Sequence, residues 1–264
     1  DKRKYMEFKS IFRKIPIIKR LYPSIFTKYC KFSHKKIFIC KFRNIFLKLN
    51  IYEPIDKSIL LFGYYEDQQI DYTFDYLKKN KIDHFFDVGA NSGIYSLIIA
   101  QRFTKMKILS FEPIKKTYLK LKKNISLNKN IINIKNIKTF NFGLSNNESK
   151  LKMKALVRDS HVQLGGFGVM ESYDKESDFY TETAIFKSAD NIFDYKNKSL
   201  CFKIDVEGHE LFAIKGLKKI FLNNKIFLQI EIFNKNYKNV SKSLRILGLK
   251  QINRIKDDYY FIKS

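Results

Sequence analysis

The chain has 264 residues, is 45% hydrophobic and carries a formal net charge of +25. That length suits one α/β domain of generous size, or one domain with an appendage, and the apolar share excludes wholesale disorder. No run of about eighteen apolar residues marks a membrane span, three scattered cysteines (Cys30, Cys40, Cys201) form neither a disulfide scaffold nor a zinc site, and no repeat marks a solenoid.

The charge is uneven. Residues 1–50 hold fifteen Lys and Arg against Asp1 and Glu7. Tyr5, Phe8, Ile11, Phe12, Ile15, Ile18 and Tyr22 interleave with them at spacings of three and four. That pattern predicts short amphipathic helices, broken near Pro16 and Pro23. Residues 1–58 are therefore read as a basic helical extension, and 59–264 as the main domain. A basic amphipathic segment suits an anionic membrane surface; the plainer reading is a helix packed on the domain with its lysines in water. No cleavable signal peptide is evident, so the expected location is cytoplasmic, with peripheral contact at the inner face of a membrane. The remaining charge is weaker evidence. Only eight of the 51 basic residues are Arg, as an AT-rich coding sequence would give, and specific nucleic-acid readers favour the Arg fork. Nucleic acid is thus the less favoured partner.

From residue 83 the rhythm changes. A strand is predicted over 83–88, then a Gly-Ala-Asn-Ser-Gly turn over 89–93 and a helix over 94–103. A strand over 108–112 stops at Pro113, and a helix covers 114–125. A strand over 138–144 precedes a hairpin beginning at 151–156. Residues 157–185, with Gly165, Gly166 and Gly168, read as a long loop able to cover an acceptor. Then come a very apolar strand over 200–206, a helix over 209–221, a strand over 226–232, a helix over 240–247, and closing strands over 249–255 and 258–263. This alternation predicts a doubly wound, mainly parallel sheet with an antiparallel closing edge.

Such a sheet binds ligands at the carboxyl ends of its strands. The first strand ends in Asp87-Val88-Gly89-Ala90-Asn91-Ser92-Gly93, and the second in Glu112, 25 residues after Asp87. Glycines let the backbone approach a ligand, and an acid at the second strand end can accept both hydroxyls of a ribose. A nucleoside-containing cofactor follows. The turn lacks the G-x-G-x-x-G of a dinucleotide site. A carboxylate at Asp87 would also repel a pyrophosphate and favour the ammonium and sulfonium of S-adenosylmethionine.

The chain resembles the FkbM family of S-adenosylmethionine-dependent methyltransferases. The resemblance lies in Phe86–Gly93, Phe111-Glu112-Pro113, Phe142–Ser145, Lys203-Ile204-Asp205-Val206-Glu207-Gly208-His209-Glu210 and Leu228–Ile232, in family order across residues 60–264. It implies a class I methyltransferase, Rossmann-like fold and O-methylation, often of sugars in glycans or natural products. It also implies that Asp87, Gly89, Ala90, Asn91, Gly93 and Glu112 are cofactor positions. The acceptor expected on this ground is a sugar, glycan or glycolipid-like molecule.

O-methyl transfer needs a hydroxyl to lose its proton as the oxygen attacks. Asp205, at the end of the fourth strand, is the first candidate to take it. Glu207 and His209 follow, and His161 is a remoter one. Glu210 reads as an acid suited to a helix start. Asp205, Glu207 and Glu231 could converge on Mg²⁺, but no clear ligand cluster exists, so a metal is not expected to be required. The rival readings are an RNA ribose methyltransferase, a nicotinamide-dependent oxidoreductase, and a non-enzymatic adaptor on the same fold.

Overall fold

The computed structural model describes residues 16–158, 161–162, 166–170 and 179–264. Helix α1 (Pro16–Phe32) leads to the antiparallel hairpin β1 (Ile37–Phe42) and β2 (Ile45–Asn50). Helices α2 (Pro54–Phe62) and α3 (Asp67–Lys79) follow. The alternating part runs β3 (His84–Val88), α4 (Ile94–Arg102), β4 (Lys107–Phe111), α5 (Lys115–Leu127) and β5 (Ile137–Phe140). An insertion contains β6 (Gly143–Leu144), β7 (Ser149–Ala155), β8 (Val157–Arg158), β9 (His161–Val162), β10 (Gly168–Val169) and β11 (Tyr180–Lys187). The chain ends with β12 (Ser199–Ile204), α6 (Glu210–Lys215), α7 (Lys218–Asn223), β13 (Lys225–Glu231), α8 (Tyr237–Ile246), β14 (Lys250–Ile255) and β15 (Asp258–Lys263).

The large sheet has seven strands in the order β14-β15-β13-β12-β3-β4-β5. Five are parallel; β15 joins β13 antiparallel and β14 closes the edge. The expected doubly wound sheet with an antiparallel edge is thus present. The chain steps outward from β3 through β4 to β5, then returns to β12 on the other side of β3. That reversal opens a crevice beyond the carboxyl ends of β3 and β12. Phe85, Phe86, Leu200, Cys201, Phe202, Leu228 and Ile230 are buried, as expected for strands covered on both faces. A second, four-stranded sheet of order β10-β7-β11-β6 stands over the crevice. Its Met153, Ala155, Ala184 and Phe186 pack with Phe167 and with Ile114, just after the end of β4.

Several local expectations are corrected. The helical reading of the N-terminal segment holds over Pro16–Phe32, which runs through Pro23 without a break, and fails over 37–50. There Phe38, Cys40, Phe42, Ile45, Leu47 and Leu49 alternate inward and are buried. They share one apolar cluster with Phe85 of β3 and Leu97 of α4. Residues 1–15 lie outside the described residues. The strand expected over 138–144 is two strands in different sheets. The loop expected over 157–185 runs into β11, seven of whose eight residues pair with β7 from Tyr180↔Ala155 to Phe186↔Ser149; Gly165 lies outside the described residues. The helix expected over 209–221 breaks at Gly216-Leu217. A Cβ on Gly216 would lie 1.9 Å from the Ser145 carbonyl oxygen, so the backbones meet there directly. No described helix is long and apolar enough to cross a membrane.

Candidate active site

The turn after β3 is built from within. Asp87 is only 1% exposed. Its Oδ2 accepts hydrogen bonds from the backbone N–H and the Oγ of Ser96, at 3.0 and 2.6 Å. It therefore points into the start of α4 rather than into the crevice, and burial raises its pKa. The N–H groups of Gly89 and Ala90 both donate to the carbonyl of Phe111, at 3.0 and 2.9 Å, tying the turn to the end of β4. Gly89 has φ +81°, and a Cβ there would lie 1.8 Å from the Asp205 carbonyl oxygen. Only glycine lets β3 and β12 meet this closely. Gly93 opens α4 against Leu121.

Glu112 faces the crevice from the end of β4. One carboxylate oxygen accepts the N–H of Ile114 and the other that of Asn91, both at 2.9 Å. Burial pushes its pKa up to about 8, against the pull of those two donors. Each oxygen still has accepting capacity, so a carboxyl group fixed by two backbone donors is presented to the crevice. Gly89, Asn91, Glu112, Pro113 and Ile114 form one wall, and Asp205, Val206, Glu207 and His209 the other. Of the expected cofactor positions, Gly89, Asn91 and Glu112 line the crevice; Asp87, Ala90 and Gly93 stand behind it and shape the turn.

The far wall rests on a buried charge set. Lys203, 3% exposed, pairs with Asp205 at 2.7 Å and lies over the Tyr95 ring at 4.9 Å. Burial works against its charge, but Asp205, Glu66, Tyr95 and Asp87 hold its pKa well above the ordinary lysine value. Burial likewise opposes ionisation of Asp205. The Lys203 ammonium, together with hydrogen bonds from Glu231 and Lys203, outweighs it and keeps Asp205 ionised. Glu231 beside it is driven up by the Asp205 charge and by burial, so the two carboxyl groups hold one proton between them. Tyr95 donates to Glu66 at 2.8 Å, and the Gln229 amide donates to the Tyr95 oxygen and to Asp258 at 2.9 and 2.8 Å. Among the described residues no group of three His, Cys, Asp or Glu is arranged to hold a metal ion.

The turn after β12 carries the remaining candidates. Glu207 adopts φ +49° and Gly208 φ +99°. The Gly208 N–H donates to Glu210 Oε1 at 2.7 Å, so Glu210 clamps this turn. Burial, then the Asp205 and Glu210 charges, raise the Glu207 pKa to about 7. His209 lies between the Phe186 and Phe212 rings, with Nε2 3.0 Å from Ser145 Oγ. Burial lowers its pKa to about 4, so its imidazole is neutral at pH 7. Glu207 and His209 line the crevice and also a second cavity of about 700 Å³. That cavity is walled by Asn146, Asn147, Phe212, Phe233, Lys235 and Asn236, among others. His161 lies in β9; its side chain falls outside the described residues.

Sequence reading missed Lys203, Glu66, Tyr95 and Gln229. Lys203 did leave a signal, as a single charge inside the apolar strand Leu200-Cys201-Phe202-Lys203-Ile204.

The family model described as the methyltransferase FkbM domain matches residues 87–251. No curated protein matches the chain. Among solved structures, it is similar to methyltransferase FkbM of Methylobacillus flagellatus KT, at 14% identity and a TM-score of 0.48. That likeness covers 69% of this chain and 44% of the other, so the chain spans less than half of that protein's length. It is also similar to TYW2 of M. jannaschii, solved in complex with AdoMet, at 12% identity and a TM-score of 0.44, over 86% of this chain and 84% of that one. A third likeness is to a human methyltransferase 10 domain containing protein, at 11% identity and a TM-score of 0.45, over 91% and 95%. With the match running from Asp87 through the Asp205–Glu210 turn to the closing edge of the sheet, the chain belongs to the FkbM methyltransferase domain family.

Proposed function

We propose that this chain is an S-adenosylmethionine-dependent O-methyltransferase that acts on a hydroxyl of a sugar or glycan precursor. The observation that carries the reading is the position of Glu207 and His209, shared by the strand-end crevice and the larger cavity. The crevice residues suit the cofactor. Glu112 is a fixed acceptor for ribose hydroxyls, and ionised Asp205 suits a cationic sulfonium. When bound, S-adenosylmethionine supplies an electrophilic methyl group.

The chain's own residues then divide the work. Glu112 and the Gly89–Asn91 turn hold and orient the nucleoside. Asp205 is kept ionised by Lys203 and is therefore a weak proton acceptor; its part is electrostatic. Glu207, with a pKa near 7, is the group matched to taking a hydroxyl proton near neutral pH. This moves the base from Asp205, the first choice on sequence, to Glu207. His209, neutral and held toward Ser145, borders the acceptor side of the same turn. The larger cavity is of a size that holds a small ligand. Its exposed Phe212 and Phe233, with Asn146, Asn147 and Asn236, offer ring faces and amides suited to a polyhydroxylated acceptor.

The test is transfer of a labelled methyl group from S-adenosylmethionine to glycans, sugar nucleotides, lipids and RNA. Label in an alkali-stable ether on a sugar is the expected result. Label on RNA ribose would replace the acceptor assignment. Stabilisation by NADH and not by S-adenosylmethionine in a thermal-shift assay would end the methyltransferase reading.

A further inference from the structure

We propose that the outer face of α1 is a docking surface for an anionic lipid bilayer. The helix has two apolar faces. On the inner one, Tyr22 stacks on Phe26 and Phe26 packs on Phe38, with ring centroids 5.5 and 5.4 Å apart, and Cys30 is fully buried. The outer face carries Leu21, Ile25, Tyr29 and Phe32, which are 54, 63, 53 and 88% exposed. Steps of four, four and three place these four on one stripe of an α-helix. Lys28 lies exposed on the same face, and Lys35 and Lys36 follow the helix end. The hairpin behind the helix cannot share this role, because its Phe38, Cys40, Phe42, Ile45, Leu47 and Leu49 are spent in the core.

Charge selects the occupant. The first fifty residues carry fifteen basic side chains against two acidic ones. A stripe of large apolar residues beside long lysine stems suits the interface of a bilayer, where apolar groups enter the acyl boundary and ammonium groups stay at the headgroups. A second copy of the chain is disfavoured, since each copy carries a net charge of +25. An uncharged protein partner would leave the flanking lysines unmatched.

The chain contains no tryptophan, so Phe32→Trp places a single reporter on the stripe of the 264-residue chain. Its emission should resemble exposed indole in buffer. It should shift to the blue with phosphatidylcholine vesicles containing phosphatidylglycerol, and much less with phosphatidylcholine alone. Raising the salt from about 0.05 to about 0.5 M should weaken vesicle binding by about tenfold or more, as screening shortens the reach of the lysines. Ile25→Asp with Phe32→Asp, read by vesicle co-sedimentation, should weaken binding by about tenfold or more. The same variant should keep the parent's melting temperature and its stabilisation by S-adenosylhomocysteine, which shows that the fold and the cofactor crevice are intact. Four results would overturn the proposal: blue emission already present in buffer, equal vesicle binding by the double variant, no response to anionic vesicles, or a parent that sediments as a dimer while the double variant is a monomer.

Discussion

Glu207 and Asp205 sit two residues apart on one turn, and their surroundings shift them in opposite directions. Asp205 has a buried ammonium at 2.7 Å; Glu207 has burial and two neighbouring carboxylates. Glu207→Gln keeps shape and removes the proposed proton acceptor. It should leave S-adenosylmethionine affinity within a few-fold and cut methyl transfer by about 10²–10⁴. In the parent the rate should rise with pH through about 7, the Glu207 value, as the carboxyl ionises, and the variant should lose that inflection. A rate and inflection unchanged in Glu207→Gln would return the base to His209 or Asp205. Glu112 separates binding from chemistry. Glu112→Ala removes the proposed ribose acceptor and leaves the Asn91 and Ile114 amides without theirs. Cofactor affinity, measured by calorimetry, should fall by about tenfold to a hundredfold or more. Glu112 was legible from sequence because an acid closing the second strand is a local pattern. The set that Lys203 and Glu66 form was not, because it joins residues far apart in the chain: a lone charge in an apolar strand marks Lys203 as unusual, but nothing local says that Glu66 and Tyr95 gather around it.

The elements that were legible are those whose pattern settles their surroundings. β3, β4, β12 and β13 are short apolar runs that make sense only between two layers of helix, and the glycine turn at 89–93 marks where the first stops. The hairpin at 37–50 was misread for a local reason. Its basic residues hid a strict alternation, Phe38-Cys40-Phe42 and Ile45-Leu47-Leu49, around Arg43-Asn44. Both turn residues have positive φ, 43° and 67°, as a two-residue hairpin turn demands. Arg in place of Gly or Asn weakened that signal. The strand at 180–187 lacked any cue that β7, some thirty residues earlier, would receive it. Gly216 tests how closely the elements fit. Splitting α6 from α7 lets its backbone touch Ser145, whose side chain meets His209. Gly216→Ala forces the Ser145 strand end away, and should cost about 1–3 kcal/mol by denaturant unfolding. Gly248→Ala, at an exposed position with φ +83° and nothing nearer than the Lys263 side chain at 3.5 Å, carries backbone strain alone and should leave the His209 environment unchanged. A Gly216→Ala protein as stable as its parent would show that the contact yields freely.

At the scale of the whole molecule, one buried cation ties the sheet to its helices. Lys203 on β12 meets Asp205; the set around it reaches Tyr95 on α4, Glu66 before α3, Gln229 on β13 and Asp258 on β15. Thr73 and Gln69 of α3 close it by donating to Gln229 and Asp258. Lys203→Met keeps the apolar stem against Tyr95 and deletes the charge. Removing one partner of a buried pair costs about 3–5 kcal/mol. The pH dependence identifies the cause. In the parent, Lys203 has a raised pKa, so its contribution is present below the ordinary lysine value and is lost only as pH rises through the higher folded one. Asp205 in the parent lies below the ordinary carboxylate value, so its contribution is present above that value and is lost as pH falls through the lower folded one. Without Lys203, burial and the neighbouring carboxylates push Asp205 above its unfolded value. Burial already raises Glu66, Asp87 and Asp258, and the loss of Lys203 raises them further. Carboxyl groups of that kind contribute stability below the unfolded carboxylate pKa and lose it as pH rises through their folded values. The gap in melting temperature between parent and Lys203→Met should therefore be small near pH 5 and large near pH 8. An equal gap at both pH values would show that the loss comes from packing at Tyr95, and that the lysine's charge does not hold these elements together.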